Sequence, residues 1–116
     1  MMKPPVDVVR VSNKGKDTLI KIKRNTGLQH WNVICRIALC TSLAEPSPPP
    51  ERGKGPDSNI EMDWKTFAGP YQDELAALIK YKLYQDNIKS QHKNNLADYI
   101  KNHIEYGIML ISKIKF

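Results

Sequence analysis

The pattern of apolar and polar residues at the start of the chain predicts a strand followed by a helix. Val6 to Val11 is short and rich in β-branched residues, which is typical of a strand. Lys14 to Thr26 has apolar residues at helical spacing, and Ser12 and Asn13 in front of it are residue types that cap helices. Gly27 is the expected stop, because glycine readily adopts the left-handed conformation that ends many helices.

The next segment, His30 to Leu43, predicts a helix that is apolar in almost every direction, with only Asn32 and Arg36 as a polar seam. Such a helix must be covered on all sides. Because a short chain has little with which to cover it, we expect a second copy of the protein to cover part of it. The side chains expected at this interface between copies are Trp31, Ile34, Cys35, Ala38 and Leu39.

The rest of the chain predicts a linker, a second strand and two packing helices. Residues 46–58 are rich in proline, which excludes a helix or a central strand, and Ile60 to Lys65 alternates as a half-buried strand does. Gln72 to Asp86 and Asn94 to Ile114 each carry an apolar stripe. The stripes consist of Leu75, Ala76, Leu78, Ile79 and Leu83, and of Leu96, Ile100, Ile104, Gly107 and Ile111. We therefore expect a mainly α fold in a single domain over residues 1–116.

Positive charge is concentrated towards the N-terminus. The sequence has 18 Lys and Arg against 12 Asp and Glu, a net charge of +6, and residues 1–45 hold eight basic and three acidic side chains. Such a field predicts a polyanionic partner, nucleic acid or an acidic membrane, with a solvated basic face as the alternative. Lys14 and Lys21 share one row of the first predicted helix and Lys16 and Lys23 another, so basic side chains flank its apolar stripe on both sides.

The distribution of apolar residues indicates where in the cell the protein is expected. No run approaches the roughly 18 apolar residues of a membrane span, and Met1 to Arg10 lacks the apolar core of a signal peptide. We therefore expect a soluble, cytoplasmic protein.

Cys35 and Cys40 point about 140° apart on one helix, so they cannot share a metal or form a disulfide. We interpret both as small core residues.

Catalytic signals are nearly absent, and we expect neither enzymatic activity nor a cofactor. The sequence has no glycine-rich phosphate loop and no convincing nucleophile and base pair. His30, His92 and His103 come without a further ligand, so we expect surface or capping histidines and no metal.

One string supports an enzymatic alternative. Pro56-Asp57 followed by Asp63, Trp64 and Lys65 resembles the signature of metal-dependent nucleases, in which two carboxylates hold Mg²⁺ near a lysine. The interval between the two aspartates is shorter than the hairpin that such a site requires. The competing interpretation is a polar turn in front of a short strand.

The N-terminal order of strand, basic helix, glycine turn and apolar helix resembles a ribbon-helix-helix module over residues 6–45. In such modules, two chains pair their strands into a ribbon that can enter a DNA groove. Only Arg10 is a good reader of base edges on this strand, whereas the lysines suit phosphates. The N-terminus of the second helix, near His30 to Asn32, would offer further backbone N–H groups to a phosphate. We therefore expect binding to DNA that is indifferent to sequence.

Several strings along the chain carry a more specific resemblance. They are Arg10 to Asn13, Leu19 to Leu28, Trp31 to Cys40, Ser42 to Pro46 and Asp57 to Met62, with Trp64, Lys65 and Phe67. In these strings the chain is similar to the DndE family of DNA sulfur modification proteins. The resemblance implies a part in replacing a phosphate oxygen of DNA with sulfur, beside a cysteine desulfurase, a sulfurtransferase and an ATPase. It also implies a homotetramer that prefers nicked duplex DNA and binds it through surface lysines.

The resulting hypothesis is a non-catalytic DNA-binding subunit of the phosphorothioation machinery. The expected DNA-binding residues are Arg10, Lys14, Lys16, Lys21, Lys23 and Arg24. Two alternatives remain open. One is a metal-dependent nickase that uses Asp57, Asp63 and Lys65, and the other is a protein–protein adaptor that docks through its apolar second helix.

Overall fold

The fold was analysed in a computed structural model, which describes residues 3–51, 55–86 and 93–114. Within these ranges, the elements are β1 (Val8–Ser12), α1 (Asn13–Thr26), α2 (Trp31–Leu43), β2 (Asp57–Asp63), α3 (Trp64–Ala68), α4 (Gln72–Gln85) and α5 (Lys93–Ser112). A short 3₁₀ turn, Gly69–Tyr71, joins α3 to α4. The expectation of a mainly α fold with short strands is confirmed. Among the described residues, none of the helices has the length and apolar character that crossing a membrane requires.

The two strands form an antiparallel sheet within the chain, with Val8 opposite Asp63, Arg10 opposite Glu61 and Ser12 opposite Asp57. The register shifts between Arg10 and Ser12, where β2 contains extra residues. Ser58 stabilises this bulge, because its Oγ donates to the carbonyl of Val11 at 2.7 Å and accepts from the amide of Ile60 at 3.0 Å. The ribbon-helix-helix expectation overlooked this pairing, since the partner of β1 on this edge is a strand of the same chain.

The core lies where α2 crosses α5. Ile34, Cys35, Ala38 and Leu39 are all at most 1% exposed there. The two backbones touch at Gly107, where an added Cβ would overlap the carbonyl group of Ala38. The expectation that these α2 side chains contact a second copy is therefore wrong.

The reason for this error is that α5 covers most of the surface assigned to a second copy. Of the expected interface residues, only Trp31 lies at the margin of the core, where it is partly buried. Cys35 fits the expectation of a small core residue, whereas Cys40 is exposed.

The last two helices agree with their predicted stripes, with some exceptions. Ile79 is fully buried on α4 and Ile104 on α5, whereas Leu78 is half exposed. Lys82 lies instead against the core, only 4% exposed. His103 is completely buried rather than at the surface. His92 lies outside the described residues.

Candidate nucleic-acid interface

Helix α1 holds most of the predicted DNA-binding cations on a rigid element. It begins where predicted, because the Oγ of Ser12 accepts from the amide of Gly15 at 3.0 Å. It ends at Gly27, whose φ of 74° is the left-handed conformation that favours glycine. Leu19 and Ile22 face the core, so the opposite side of the helix faces solvent.

The N-terminus of α1 is occupied by a carboxylate from α5. Glu105 is only 5% exposed, and its Oε1 accepts from the amide of Ser12 at 2.8 Å. Gly15 makes room for this contact, since a Cβ there would collide with the other carboxylate oxygen. The positive end of the α1 dipole therefore already has its anion, and the phosphates of a nucleic acid would have to meet the side of the helix.

Three of the predicted cations already have a partner. Arg10 pairs with Glu61 across the sheet at 3.3 Å. Lys16 donates to the side-chain oxygen of Asn59 at 2.6 Å, and the ammonium of Lys23 lies 4.4 Å from the centre of the Trp31 ring. These contacts connect β1 and α1 to β2 and α2. They reduce the suitability of Arg10 as a base reader, because Glu61 competes for its guanidinium.

The other three cations, Lys14, Lys21 and Arg24, are exposed and have no side-chain partner within the described ranges. They span a rise of roughly 15 Å along the helix axis. Asp17 is also exposed on this side and lowers the local charge. We call Lys14, Lys21 and Arg24 the free cationic face. Exposed cations of this kind on the side of a helix suit contacts with phosphates, which carry no sequence information.

The N-terminus of α2 was the other expected phosphate contact. His30 occupies its cap position without a side-chain hydrogen bond, and the first turn contains no acidic residue. The side-chain amide of Asn32 donates to the carbonyl of Thr66 at 3.3 Å, so it is turned towards α3. A phosphate contact at this position stays a prediction.

The structure does not bring together the two carboxylates of the nickase alternative. Asp57 and Asp63 are the first and last residues of β2, which places them roughly 20 Å apart along the strand. Asp57 forms an ion pair with Lys101. The described residues contain no group of three or more potential ligands that could hold a metal ion.

The other carboxylate of that alternative has a structural task. The side chain of Asp63 caps α3 by accepting from the amide of Thr66 at 2.7 Å, and this hydrogen bond lowers the pKa of Asp63. Trp64 therefore begins a helix and does not continue the strand as predicted. Lys65, the third residue of the alternative, is exposed on α3.

Sequence reasoning missed a buried polar cluster where α4 meets α5. The Nζ of Lys82 donates to Asp86 at 2.9 Å and to the carbonyl of Ser47 at 3.1 Å. Tyr99 donates to the other oxygen of Asp86 at 2.7 Å. Burial, and then this bond to the carboxylate, raises the pKa of Tyr99. One signal in the sequence could have indicated this cluster. Lys82 and Asp86 are four residues apart, the interval at which opposite charges on a helix can pair, and they lie beside an apolar stripe.

His103 extends this cluster towards α2. Its Nδ1 lies 2.6 Å from the Oγ of Ser42, its ring packs edge-on against Tyr99, and its Nε2 is buried without a partner among the described residues. Burial, as the largest cause, lowers the pKa of His103 to about 4, while Asp86 raises it and Lys82 lowers it. The ring is therefore neutral at neutral pH, and this cluster is a structural connection rather than part of the cationic surface.

Fold and site together define a small, mainly helical protein with a cationic helix on its surface. The family model described as DNA sulphur modification protein DndE matches residues 8–115, and the chain therefore belongs to this family. The resemblance drawn from the sequence strings is confirmed.

Solved structures are similar over nearly the whole chain. A crystal structure of DndE from Escherichia coli B7A, described as involved in DNA phosphorothioation modification, has a TM-score of 0.70 at 23% identity and covers 95% of this chain and 98% of that one. A DndE mutant with glycine-to-lysine changes has a TM-score of 0.65 at 20% identity and covers 90% of this chain and 97% of that one. At these identities, the likeness shows the fold. A comparison with curated protein sequences found no significant match.

Proposed function

We propose that this protein is a non-catalytic DNA-binding subunit of the phosphorothioation machinery, that it works as a homotetramer, and that it binds duplex or nicked DNA through backbone phosphates. Family membership supports the link to DNA sulfur modification, and both solved relatives are described as involved in phosphorothioation. The observation that carries the DNA-binding part is the free cationic face of Lys14, Lys21 and Arg24.

The chemistry of this face favours phosphate contacts over base contacts. The cations lie on the side of one helix, and Arg10, the only expected base reader, is paired with Glu61. Each phosphate that the protein neutralises releases counterions, so the logarithm of affinity falls by roughly 0.9 for each tenfold increase in salt. In a plot of the logarithm of affinity against the logarithm of salt concentration, the three cations of this face therefore contribute a slope of about −3 for each protomer that contacts the duplex.

The non-catalytic part of the proposal is supported by the structural contacts of the two aspartates on which the nickase alternative depends. Asp57 is paired with Lys101 and Asp63 caps α3, at opposite ends of one strand. In this role the protein holds DNA for the enzymes of the system, with the sulfurtransferase and the ATPase as the expected partners.

A matched pair of double variants tests the DNA-binding proposal. Lys14→Ala with Lys21→Ala removes two charges from the free cationic face, and Lys65→Ala with Lys80→Ala removes two exposed charges elsewhere. The affinity for a nicked duplex, measured by fluorescence anisotropy over a salt series, is expected to fall at least tenfold only in the first variant. Its salt slope should become shallower by about 2 for each engaged protomer. Equal losses in both variants, or a flat salt response of the native protein, would refute phosphate binding by this face.

The adaptor alternative has different support, namely three exposed side chains on α4. Leu78 is 50% exposed, Tyr81 56% and Tyr84 86%. Leu78→Glu distinguishes the two functions, because an adaptor would lose modification in cells while DNA affinity stays unchanged. A charge at Ile34 or Ala38, the test that the sequence favoured, is no longer informative because both side chains lie in the core.

A further inference from the structure

An open groove of about 280 Å³ lies where the connection between α1 and α2 passes β2 and α3. It is lined on one side by Gln29 to Asn32 and on the other by Ile60 to Met62 and Thr66. Its volume is just below the roughly 300 to 1,000 Å³ of pockets that bury a drug-sized molecule. The groove therefore matches a single small ring system rather than an extended ligand.

The lining of this groove is partly apolar and carries no cationic side chain. Trp31 provides an aromatic ring, and Ile60 and Met62 provide apolar surface. None of the lining residues is a lysine or an arginine, whereas Glu61 brings a carboxylate. Because a carboxylate repels a phosphate, a phosphate is a poor occupant of the groove itself. The ligand that fits is a flat, neutral group.

Polar side chains in the same lining add hydrogen-bonding capacity. The side-chain nitrogen of Asn32 donates to the carbonyl of Thr66 at 3.3 Å, and an amide group carries a second N–H and an acceptor oxygen besides. Gln29 and His30 are exposed at the rim. Groups of this kind pair with the donors and acceptors on the edges of nucleobases. A flat, neutral ring with polar edges is the description of a nucleobase.

Two lysines of α1 border the groove without lining it. The ammonium of Lys23 lies 4.4 Å from the centre of the Trp31 ring. Lys16 is bonded to Asn59, the residue that precedes Ile60 in β2. Cations along the path of a nucleic-acid backbone, together with an aromatic ring for a base, are the combination that binds unpaired strands. A nucleotide with its base in the groove thus has lysines beside it for its phosphates.

We propose that this groove accepts one unpaired nucleobase of the bound DNA, which packs against the ring of Trp31 while Lys16 and Lys23 hold the adjoining phosphates. A base inside a duplex must first leave the stack, which costs free energy, whereas a base in a bulge or a gap has already left it. The groove therefore favours DNA that contains an unpaired base. This inference rests on the DNA binding of the proposed function and adds a base contact to its phosphate contacts.

The carboxylate of Glu61 indicates which bases fit best. One of its oxygens accepts from Arg10 at 3.3 Å, and a carboxylate has a second oxygen that can accept as well. A carboxylate accepts from the exocyclic amino group of cytosine, whereas thymine has a carbonyl oxygen at the same position of its ring. We therefore expect an unpaired cytosine to bind more tightly than an unpaired thymine.

Three duplexes of otherwise identical sequence test the proposal on the native protein. One carries a single-nucleotide cytosine bulge, one a thymine bulge, and one an abasic bulge with the same number of phosphates. The cytosine bulge is expected to bind at least about fivefold more tightly than the abasic bulge, because stacking on an aromatic side chain contributes on this scale. Fluorescence anisotropy at a series of salt concentrations measures all three, and their salt slopes should be equal.

The possible failures of this experiment are distinguishable. Equal affinity for the cytosine and abasic bulges would overturn the inference, while a steep salt slope in the same titrations would leave phosphate binding intact. Absence of binding to all three duplexes would refute the proposed function and the inference with it. Equal affinity for cytosine and thymine would overturn the contact with Glu61.

A pair of leucine variants locates the base on the protein. Trp31→Leu removes the ring that lines the groove, and Tyr81→Leu removes a ring on α4 that is 56% exposed. The preference for the cytosine bulge over the abasic bulge should disappear only in the first variant, and Trp31→Phe should restore part of it. A preference that survives in Trp31→Leu would place the base elsewhere and contradict the proposal.

The indole N–H signals of the native protein provide a measurement that needs no variant. Trp31 lines the groove, whereas Trp64 is only 3% exposed and serves as the internal control. In NMR spectra, the signal of Trp31 should shift further with the cytosine bulge than with the abasic bulge, and the signal of Trp64 should respond equally to both. If Trp31 also responds equally to both duplexes, the base does not enter this groove.

Discussion

Helices α1 and α2 follow each other in the chain and have nearly the same length, 14 and 13 residues, yet they have opposite tasks. Both were expected to be functional surfaces. The cations of α1 do lie at the surface, whereas the central side chains of α2 are buried under α5 of the same chain. The comparison shows that several charges on one helix predict a surface, because burying a charge that lacks a partner is costly. Lys82 on α4 is buried, but it is paired with Asp86. Apolar character predicts that a helix is buried, but it does not predict whether the same chain or a second copy buries it.

The largest effect is expected where α2 touches α5. Gly107→Ala inserts a Cβ into the position of the Ala38 carbonyl, so the two helices must separate. We expect a loss of about 3 kcal/mol or more in the free energy of unfolding, measured by urea denaturation.

A second glycine provides the control for this variant. Gly27→Ala meets no atom within 4 Å and strains only a positive φ, so it should cost about 1 kcal/mol. If the two variants are equally mild, α2 is not held by this close contact, and its cover must come from elsewhere.

A smaller effect is expected from pH, through the buried ring between α2 and α5. Burial lowers the pKa of His103 from its ordinary value of 6.5 to about 4 in the folded protein, so the unfolded chain binds the proton first as the pH falls. Stability is therefore complete above about pH 6.5 and decreases towards pH 4, by up to roughly 3 kcal/mol.

Thermal or urea unfolding between pH 4 and pH 7 measures this contribution. His103→Gln should remove that part of the pH dependence, whereas His30→Gln, which changes an exposed histidine, should leave it in place. If the dependence of stability on pH were unchanged in His103→Gln, protonation of this ring would not contribute to the stability of the fold.

The smallest effect on stability is expected on α1. Lys14→Ala with Lys21→Ala changes exposed side chains without described partners, so the free energy of unfolding should change by less than about 0.5 kcal/mol. Because the same variant is expected to lose DNA affinity, unfolding curves measured beside the binding series separate function from stability. A large destabilisation would show that these lysines have a structural task and would undermine the contrast with α2.

Several features could be predicted because their causes are local. The ends of α1 follow from Ser12 and Gly27, whose side-chain and backbone preferences act within a few residues. The clustering of basic residues towards the N-terminus and the segments that resemble the DndE family are likewise properties of consecutive residues. The burial of His103 and Lys82 could not be predicted in this way, because it depends on which helices pack together.

The sequence by itself thus determined the mainly helical character, the ends of α1, the family and the segment that carries the cations. Only the tertiary structure decided which strand pairs with β1, what covers α2, and which three of the six expected cations remain free. The physical reason is that these outcomes depend on contacts between residues far apart in the chain. The carboxylate of Glu105 at the amide of Ser12 and the carbonyl of Ala38 against Gly107 are two such contacts.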